Sequence, residues 1–73
     1  MQLSELVLVK VKADVNNRQG VIAVADIFRA KVVDVAKDSL MVELTGNPTK
    51  LNAFLNLLEG FQILEIVLCF PYR

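Results

Sequence analysis

The residues best suited to bind a ligand lie together in the segment NNRQGV, residues 16–21. Asparagine and glycine favour helix starts and turns, and unpaired backbone amides at a helix N-terminus attract a carboxylate or a phosphate. Arg18 would add a positive charge to such a site. The same residue types are ordinary caps and turn formers, so a purely structural role for the segment stays open.

Residues able to catalyse a reaction are few. The sequence has no histidine and a single cysteine, Cys69, beside which no activating base is evident. The eight carboxylates are scattered over the chain, with no pair at a spacing that suggests a shared site. We therefore expect no enzyme activity, no cofactor and no metal site, and we expect Cys69 to be a half-buried free thiol.

Composition limits the partners that the chain can have. The net charge is zero, from eight basic and eight acidic residues, which argues against binding to nucleic acid. No apolar run reaches the roughly 18 residues that span a bilayer, and the start MQLSELVLVKVK lacks a signal-peptide pattern. We expect a cytoplasmic protein without nucleic-acid or membrane partners. Since 55% of only 73 residues are hydrophobic, part of the apolar surface should be buried against another chain.

Hydrophobic periodicity predicts four strands and two helices, because alternation is typical of strands and a 3.6-residue period of helices. Asn16, with Gln19 three residues later, is the expected cap of the first helix, and Asn47 that of the second. Gly60 should end the second helix and Pro71 the last strand. The predicted strands cover residues 5–13, 31–36, 39–45 and 61–70, and the predicted helices begin at residues 18 and 48.

This order of elements predicts an α+β fold, the ferredoxin-like βαββαβ sandwich, as a single domain over residues 1–73. Its four-stranded antiparallel sheet has the strand order 4-1-3-2 and carries both helices on one face. We call the other, uncovered face of the sheet the open face. The second and fourth strands are edges with unpaired backbone groups.

The open face and the two edges predict association with another chain. The apolar residues expected on the open face are Leu6, Leu8, Met41, Ile63 and Val67, beside Lys10, Glu43 and Glu65. Self-association would cover both kinds of surface, so we expect a homo-oligomer, a dimer or larger, or a tight partner chain. The candidate residues of the oligomer interface are Leu6, Leu8, Val33, Met41 and Val67.

Three segments together resemble a known family. They read ELVLVKVKAD, NNRQGVIAVADIFRAKVVDV and SLMVELTGNPTKLNAFLNLLEGFQILEIV, and they cover roughly residues 4–67. The combination is similar to the C-terminal domain of the small, regulatory subunit of acetolactate synthase, also called acetohydroxyacid synthase. The passage ADIFRAKVVDV with the downstream LTG and AFL is specific in combination, whereas each piece alone is weak.

The resemblance implies an ACT-like regulatory domain of branched-chain amino-acid biosynthesis that is not itself catalytic. In that family the full-length subunit associates with a thiamine-diphosphate-dependent catalytic subunit, raises its activity and confers feedback inhibition by valine. The C-terminal domain is expected to help assembly and to contact the catalytic subunit. Two departures matter: the 73 residues do not include the family's N-terminal ACT domain, so valine sensing is not carried over, and the tail VLCFPYR, with residues 69–73, lacks the polar ending usual in the family.

The segment NRQGVIAVADIF also resembles the ACT-domain pattern, in which a glycine opens the first helix beside an amino-acid effector. Gly20 stands at the matching position. The alternative function is therefore a stand-alone sensor that binds a branched-chain amino acid at the loop before the first helix. Its candidate effector-binding residues are Asn17, Arg18, Gly20 and Val21.

Overall fold

In the computed structural model, which describes residues 4–72 and the side chains of residues 4–69, the elements follow the predicted order. The antiparallel sheet has the order β2-β3-β1-β4, which is the predicted 4-1-3-2 seen from the other edge. The ferredoxin-like prediction is confirmed. The elements are β1 (Ser4–Lys12), α1 (Arg18–Phe28), β2 (Lys31–Val35), β3 (Ser39–Gly46), α2 (Pro48–Leu57), a 3₁₀ turn (Leu58–Gly60) and β4 (Ile63–Tyr72).

The alternation of valine along β1 determines which face of the sheet becomes the core. Val7, Val9 and Val11 are at most 1% exposed, while the residues between them are half-buried. Burying a side chain of this kind stabilises the fold by about 1.5–3 kcal/mol. The register of β1 with β3 continues the same apolar face, pairing Val7 with Leu44, Val9 with Val42 and Val11 with Leu40.

Each helix covers this face with apolar side chains. Val21 and Ala25 of α1 and Leu51 and Phe54 of α2 are buried. The Phe54 ring meets the Phe28 ring edge to face, with 5.4 Å between the ring centroids. Aromatic pairs of this geometry contribute about 0.5–1.5 kcal/mol beyond the area that they bury, so this contact ties the two helices together.

The two helices begin differently. Asn47 caps α2 as predicted, since its Oδ1 accepts a hydrogen bond of 2.8 Å from the Lys50 N–H. The predicted Asn16 cap of α1 is wrong, because the N-cap is Asn17. The Asp14 carboxylate accepts bonds from the N–H groups of Asn16 and Asn17, and Asn17 Oδ1 accepts from the Asp14 N–H at 2.8 Å. Because the Asn16 N–H donates to the Asp14 carboxylate, it is not available to the Gln19 side chain, as the predicted capping box requires.

The predicted position of Ile63 is wrong because β4 contains a bulge. Lys10 pairs with Glu65, but the next residue of β1, Val11, pairs with Ile63, so Leu64 is an extra residue in β4. A bulge of this kind reverses the side-chain alternation on either side of it. Ile63 was expected on the open face, but it lies on the helix side and packs against the core.

The end of β4 also differs from the expectation. The strand continues to Tyr72, so the prediction that Pro71 ends it is wrong. The register with β1 is irregular between the Cys69 and Tyr72 pairings, and an edge strand at a bulge can hold proline because no ladder bond needs its missing N–H. Cys69 is exposed rather than half-buried. The last tail residue, Arg73, lies outside the described residues.

Among the helices formed by residues 4–72, none combines the length and the apolar character that crossing a membrane requires.

The Asn47 cap should contribute measurably to stability. We expect Asn47→Ala to lower the free energy of unfolding by about 1 kcal/mol, because the α2 amides lose their side-chain acceptor. Asn52→Ala, at an exposed position within the same helix, is the matched control and should change it by less than about 0.5 kcal/mol. Urea denaturation followed by circular dichroism measures both. Equal losses in the two variants would contradict the assigned role of the cap.

Candidate functional site

The loop before α1, the first candidate site, is held by internal hydrogen bonds. Arg18 Nη2 donates to the carbonyl oxygens of Ala36 at 2.9 Å and Lys37 at 3.1 Å, which tie the start of α1 to the turn between β2 and β3. Arg18 Nε is buried and has no hydrogen-bond partner within residues 4–69. The Arg18 guanidinium therefore holds the backbone of the β2–β3 turn through Nη2, while its Nε–H makes no hydrogen bond to the described residues.

The other candidate effector residues also have contacts within the domain. A Cβ added to Gly20 would stand 3.0 Å from Cζ and 3.2 Å from Cε1 of Phe61, so the ring packs directly on the glycine backbone. Val21 is fully buried in the core. Asn17 is bonded to Asp14. The structure brings all four predicted residues to one end of α1, where Arg18 Nε is a buried polar atom without a hydrogen-bond partner among the described residues.

The open face, the second candidate site, has the predicted apolar side chains. Leu8 lies between Glu43 of β3 and Val67 of β4, and Lys10 lies between Met41 and Glu65. Leu6, paired with Cys69, is on the same face. Four of the five predicted interface residues therefore share this face. Val33 does not, since it lies apart on the β2 edge.

The edge strands expose apolar side chains beyond the predicted Val33 and Val67. We call Val32, Val33 and Val35 the β2 edge patch, and Leu64, Ile66, Val67 and Leu68 the β4 edge patch. Ile66 and Leu68 pair with Val9 and Val7 on the helix side, yet they are 48% and 57% exposed. A signal was present in the sequence, because the segment ILEIVLC is apolar on both faces, as in strands that are covered on both sides.

Charges on the open face are arranged in alternating sign. Lys10 lies opposite Glu65, and Glu43 lies opposite Lys31 on the next strand. Opposite charges at directly paired positions favour the observed register by about 0.2–1 kcal/mol each. The face is thus apolar along its middle and electrically balanced, which suits association with a protein surface.

Within the described residues, no three histidine, cysteine, aspartate or glutamate side chains come together where a metal ion could bind.

The fold and these surfaces define a small ferredoxin-like domain with an open face and two apolar edges. Comparison with known proteins gives the family. Residues 4–68 match the family described as the small subunit of acetolactate synthase. The chain belongs to this family, as its C-terminal domain, and the resemblance inferred from the sequence is confirmed. This subunit is regulatory and not catalytic, which also confirms the expectation that the chain is not an enzyme.

Individual relatives agree with this assignment. The chain is 52% identical to the acetolactate synthase small subunit of Mycolicibacterium smegmatis over 62 residues, 85% of this chain and 36% of that protein. It is 47% identical to the chloroplastic small subunit 2 of Arabidopsis thaliana over 85% of this chain and 13% of that protein. The crystal structure of the Thermotoga maritima small subunit superimposes with a TM-score of 0.84 at 35% identity, covering 93% of this chain and 42% of that one.

The chain therefore spans less than half the length of each of these relatives.

The Arg18 contact should stabilise the junction of α1 with the β2–β3 turn. We expect Arg18→Met, which keeps an apolar stem but removes both hydrogen bonds to the turn, to lower the free energy of unfolding by about 1 kcal/mol. Arg29→Met, at the exposed end of α1, removes the same charge without those bonds and should cost less than about 0.5 kcal/mol. Hydrogen exchange of residues 36–39 should also accelerate in Arg18→Met alone. Unchanged exchange there would show that the contact is dispensable.

Proposed function

We propose that the chain is a non-catalytic regulatory and assembly module that forms a homo-oligomer and engages the catalytic subunit of acetolactate synthase in branched-chain amino-acid biosynthesis. The observation that carries the proposal is the apolar open face in a member of the small-subunit family. The proposed interface keeps the residues predicted from the sequence, Leu6, Leu8, Val33, Met41 and Val67.

The exposed apolar area supports association. Ten large hydrophobic side chains of the described residues are exposed, and seven of them belong to the two edge patches. Fully burying one such side chain contributes about 1.5–3 kcal/mol, whereas bringing two proteins together costs about 4–15 kcal/mol. A single contact cannot offset that cost. The proposed interface must therefore bury the open face, or an edge patch together with it, as one continuous surface.

The charges among the apolar residues would orient the partner. Lys10, Glu43 and Glu65 flank Leu8 and Val67 on the open face. A partner surface that pairs these charges would be selected over one that leaves them unpaired, because a buried charge without a partner is costly. The apolar residues would thus supply affinity, and the charges would supply specificity.

Leu8 at the middle of the open face allows a direct test. We expect Leu8→Lys to weaken binding to the catalytic subunit at least tenfold, or about 1.4 kcal/mol, because it places a charge inside the proposed interface. The measurement is calorimetric titration of this chain into the purified catalytic subunit encoded in the same genome. Circular dichroism establishes that the variant is folded, since the Leu8 side chain lies outside the buried core.

The matched control is Ile27→Lys, which introduces the same side chain at a 69% exposed position on α1, away from the open face. It should leave the affinity unchanged. Equal weakening by both variants, or a wild-type chain without measurable affinity, would overturn the proposal.

We also propose a cytoplasmic location for this assembly. The support is a single cysteine, Cys69, which has no partner in the sequence for an internal disulfide, as is usual in reducing compartments. The relative from Arabidopsis thaliana is chloroplastic, according to its name.

A second candidate function is a sensor that binds a branched-chain amino acid at the loop before α1. The observation that favours it is Arg18 Nε, a buried donor without a partner in the described part of the chain, at a helix N-terminus. The carboxylate of a bound amino acid could accept a hydrogen bond from this N–H group. The proposed effector-binding residues are Asn17, Arg18, Gly20 and Val21.

Calorimetry with valine, leucine and isoleucine separates the second candidate from the first. Binding at this loop predicts measurable heat that Gly20→Glu abolishes, since the new carboxylate would repel the ligand and collide with the Phe61 ring. Glu59→Gln, an exposed change of charge near the end of α2, is the control and should leave the heat unchanged. No heat with any of the three amino acids would remove this candidate.

A further inference from the structure

We propose that β4 is an acceptor edge for a strand of the catalytic subunit. An extended segment of that subunit joins the sheet antiparallel to β4, with a basic residue opposite Glu65 and apolar residues opposite the next three positions. This inference rests on the proposed function, because it names the part of this chain that the catalytic subunit engages and the kind of segment that it contributes. In strand addition of this type, backbone hydrogen bonds supply affinity and the side-chain positions supply specificity.

β4 is the longer of the two edge strands, and its middle is regular. It has ten residues, whereas β2 has five and its pairing with β3 is interrupted at Val33. Natural edge strands avoid unwanted pairing by means of charges, prolines and bulges. In β4 the bulge at Leu64 and Pro71 stand near the two ends. Residues 65–69 between them pair with β1 without a shift, which gives a continuous edge of about 17 Å.

The side chains of this segment are uncovered on both faces of the sheet. α1 contacts mainly β2 and β3, and α2 contacts mainly β3 and β1, so the helices lie away from the β4 edge. Ile66 and Leu68 are therefore exposed on the helix side, and Val67 is exposed on the open face. An added strand with apolar side chains would cover all three.

Hydrogen bonds at one end of the sheet determine how the backbone of β1 alternates. The Lys12 N–H donates to the Gln62 carbonyl oxygen at 2.8 Å, on the β4 side. The N–H of the following residue, Ala13, donates to the Asp38 carbonyl oxygen at 2.9 Å, on the β3 side. N–H groups alternate in direction along a strand, and β1 pairs with β3 without interruption. The even-numbered residues of β1 therefore point their N–H and C=O groups toward β4.

The partners of those even-numbered residues point back toward β1, and they are Glu65, Val67 and Cys69. Ile66 and Leu68 lie between them, so their N–H and C=O groups point away from β1, where the sheet has no further strand. These two residues thus offer two donors and two acceptors to an added antiparallel strand. Glu65 and Val67 would then form the pairs of the new ladder in which the side chains lie closest together.

The inner neighbour β1 shows which sequence β4 accepts. Residues 6–10 read LVLVK, and in the antiparallel register they meet residues 69 to 65 in turn. Lys10 thus meets Glu65, and the four apolar residues before it meet the apolar part of β4. The outer side of β4 presents the same side chains, because they stand above and below the sheet between both neighbours. The complementary outer strand therefore has the same pattern, apolar residues followed by Lys or Arg.

Glu65 favours a basic partner strand over a second copy of β4. It is exposed, and it is the only charged residue among the ten of β4. Two copies paired along β4 would therefore offer each other no basic residue from the strand itself. A strand of the catalytic subunit with Lys or Arg opposite Glu65 would place opposite charges directly across the new ladder.

Removing one outward N–H tests the strand addition. We expect Leu68→Pro to weaken binding to the catalytic subunit at least tenfold in calorimetric titration, because proline has no N–H to donate to the added strand. No hydrogen bond to β1 is lost, since this N–H points away from β1. The matched control Leu68→Val keeps the N–H beside an apolar side chain of similar size, and it should bind within about twofold of the wild type. Circular dichroism establishes folding of both variants.

A charge exchange with synthetic peptides tests the register without a proline. The probes are the end-blocked peptide ELVLVKVK, a copy of residues 5–12, and the same peptide with glutamate at its sixth position. We expect the wild-type chain to bind the first peptide at least about threefold more tightly than the second. The Glu65→Lys chain should show the reverse preference. Glu59→Lys, an exposed change at the end of α2, is the control and should keep the wild-type preference.

Failure of this inference is distinguishable from failure of the proposed function. A Leu68→Pro chain that binds the catalytic subunit like the wild type, or a peptide preference that Glu65→Lys does not reverse, would overturn the strand addition. A smaller assembly of Leu68→Pro alone in sedimentation would assign the edge to a second copy and overturn it as well. If Leu8→Lys weakens the complex while Leu68→Pro does not, the proposed function stands and the strand addition is rejected. A wild-type chain without affinity for the catalytic subunit would reject the proposed function, and with it that subunit as the source of the strand.

Discussion

The helices of this domain are short relative to its strands, and this difference determines how much of the sheet the helices can cover. α1 and α2 have 11 and 10 residues, or about 16 Å of helix each, whereas β1 and β4 have 9 and 10 residues and extend about 30 Å. Two such helices cover the middle of one sheet face and none of the other. The valines of β1 are buried beneath them, but Leu68, which pairs with Val7 from the edge strand β4, stays 57% exposed. A domain built in this way has apolar surface that it cannot cover by itself.

The loop before α1 shows how a sequence that resembles a binding site can also be a structural junction. Arg18 ties the helix to the turn after β2, and the Phe61 ring packs on the Gly20 backbone. A glycine at this position is thus explained by close packing without any ligand. The family to which the chain belongs is regulatory, and the surfaces most in need of a partner are the open face and the edges of the sheet.

Local patterns in the sequence predicted most of the fold, because β1 alternates strictly and Asn47 followed by Pro48 is a strong helix start. They also placed Leu8 on the open face correctly. The two bulges and the Gly20–Phe61 contact, which they missed, leave no trace in the local sequence pattern. The extra residues at Leu64 and Val33 shift the alternation by one, and a bulge is set by the register of the neighbouring strand rather than by the bulged residues themselves. The contact of Gly20 with Phe61 joins positions far apart in the chain.

We propose that another protein chain completes the apolar sheet surface of this domain. The decisive measurement is sedimentation velocity of the wild-type protein, alone and with the acetolactate synthase catalytic subunit. We expect a species heavier than the 8.1 kDa chain at micromolar concentration, and its movement into a still heavier complex when the catalytic subunit is added. A chain that sediments at 8.1 kDa in both samples would contradict it.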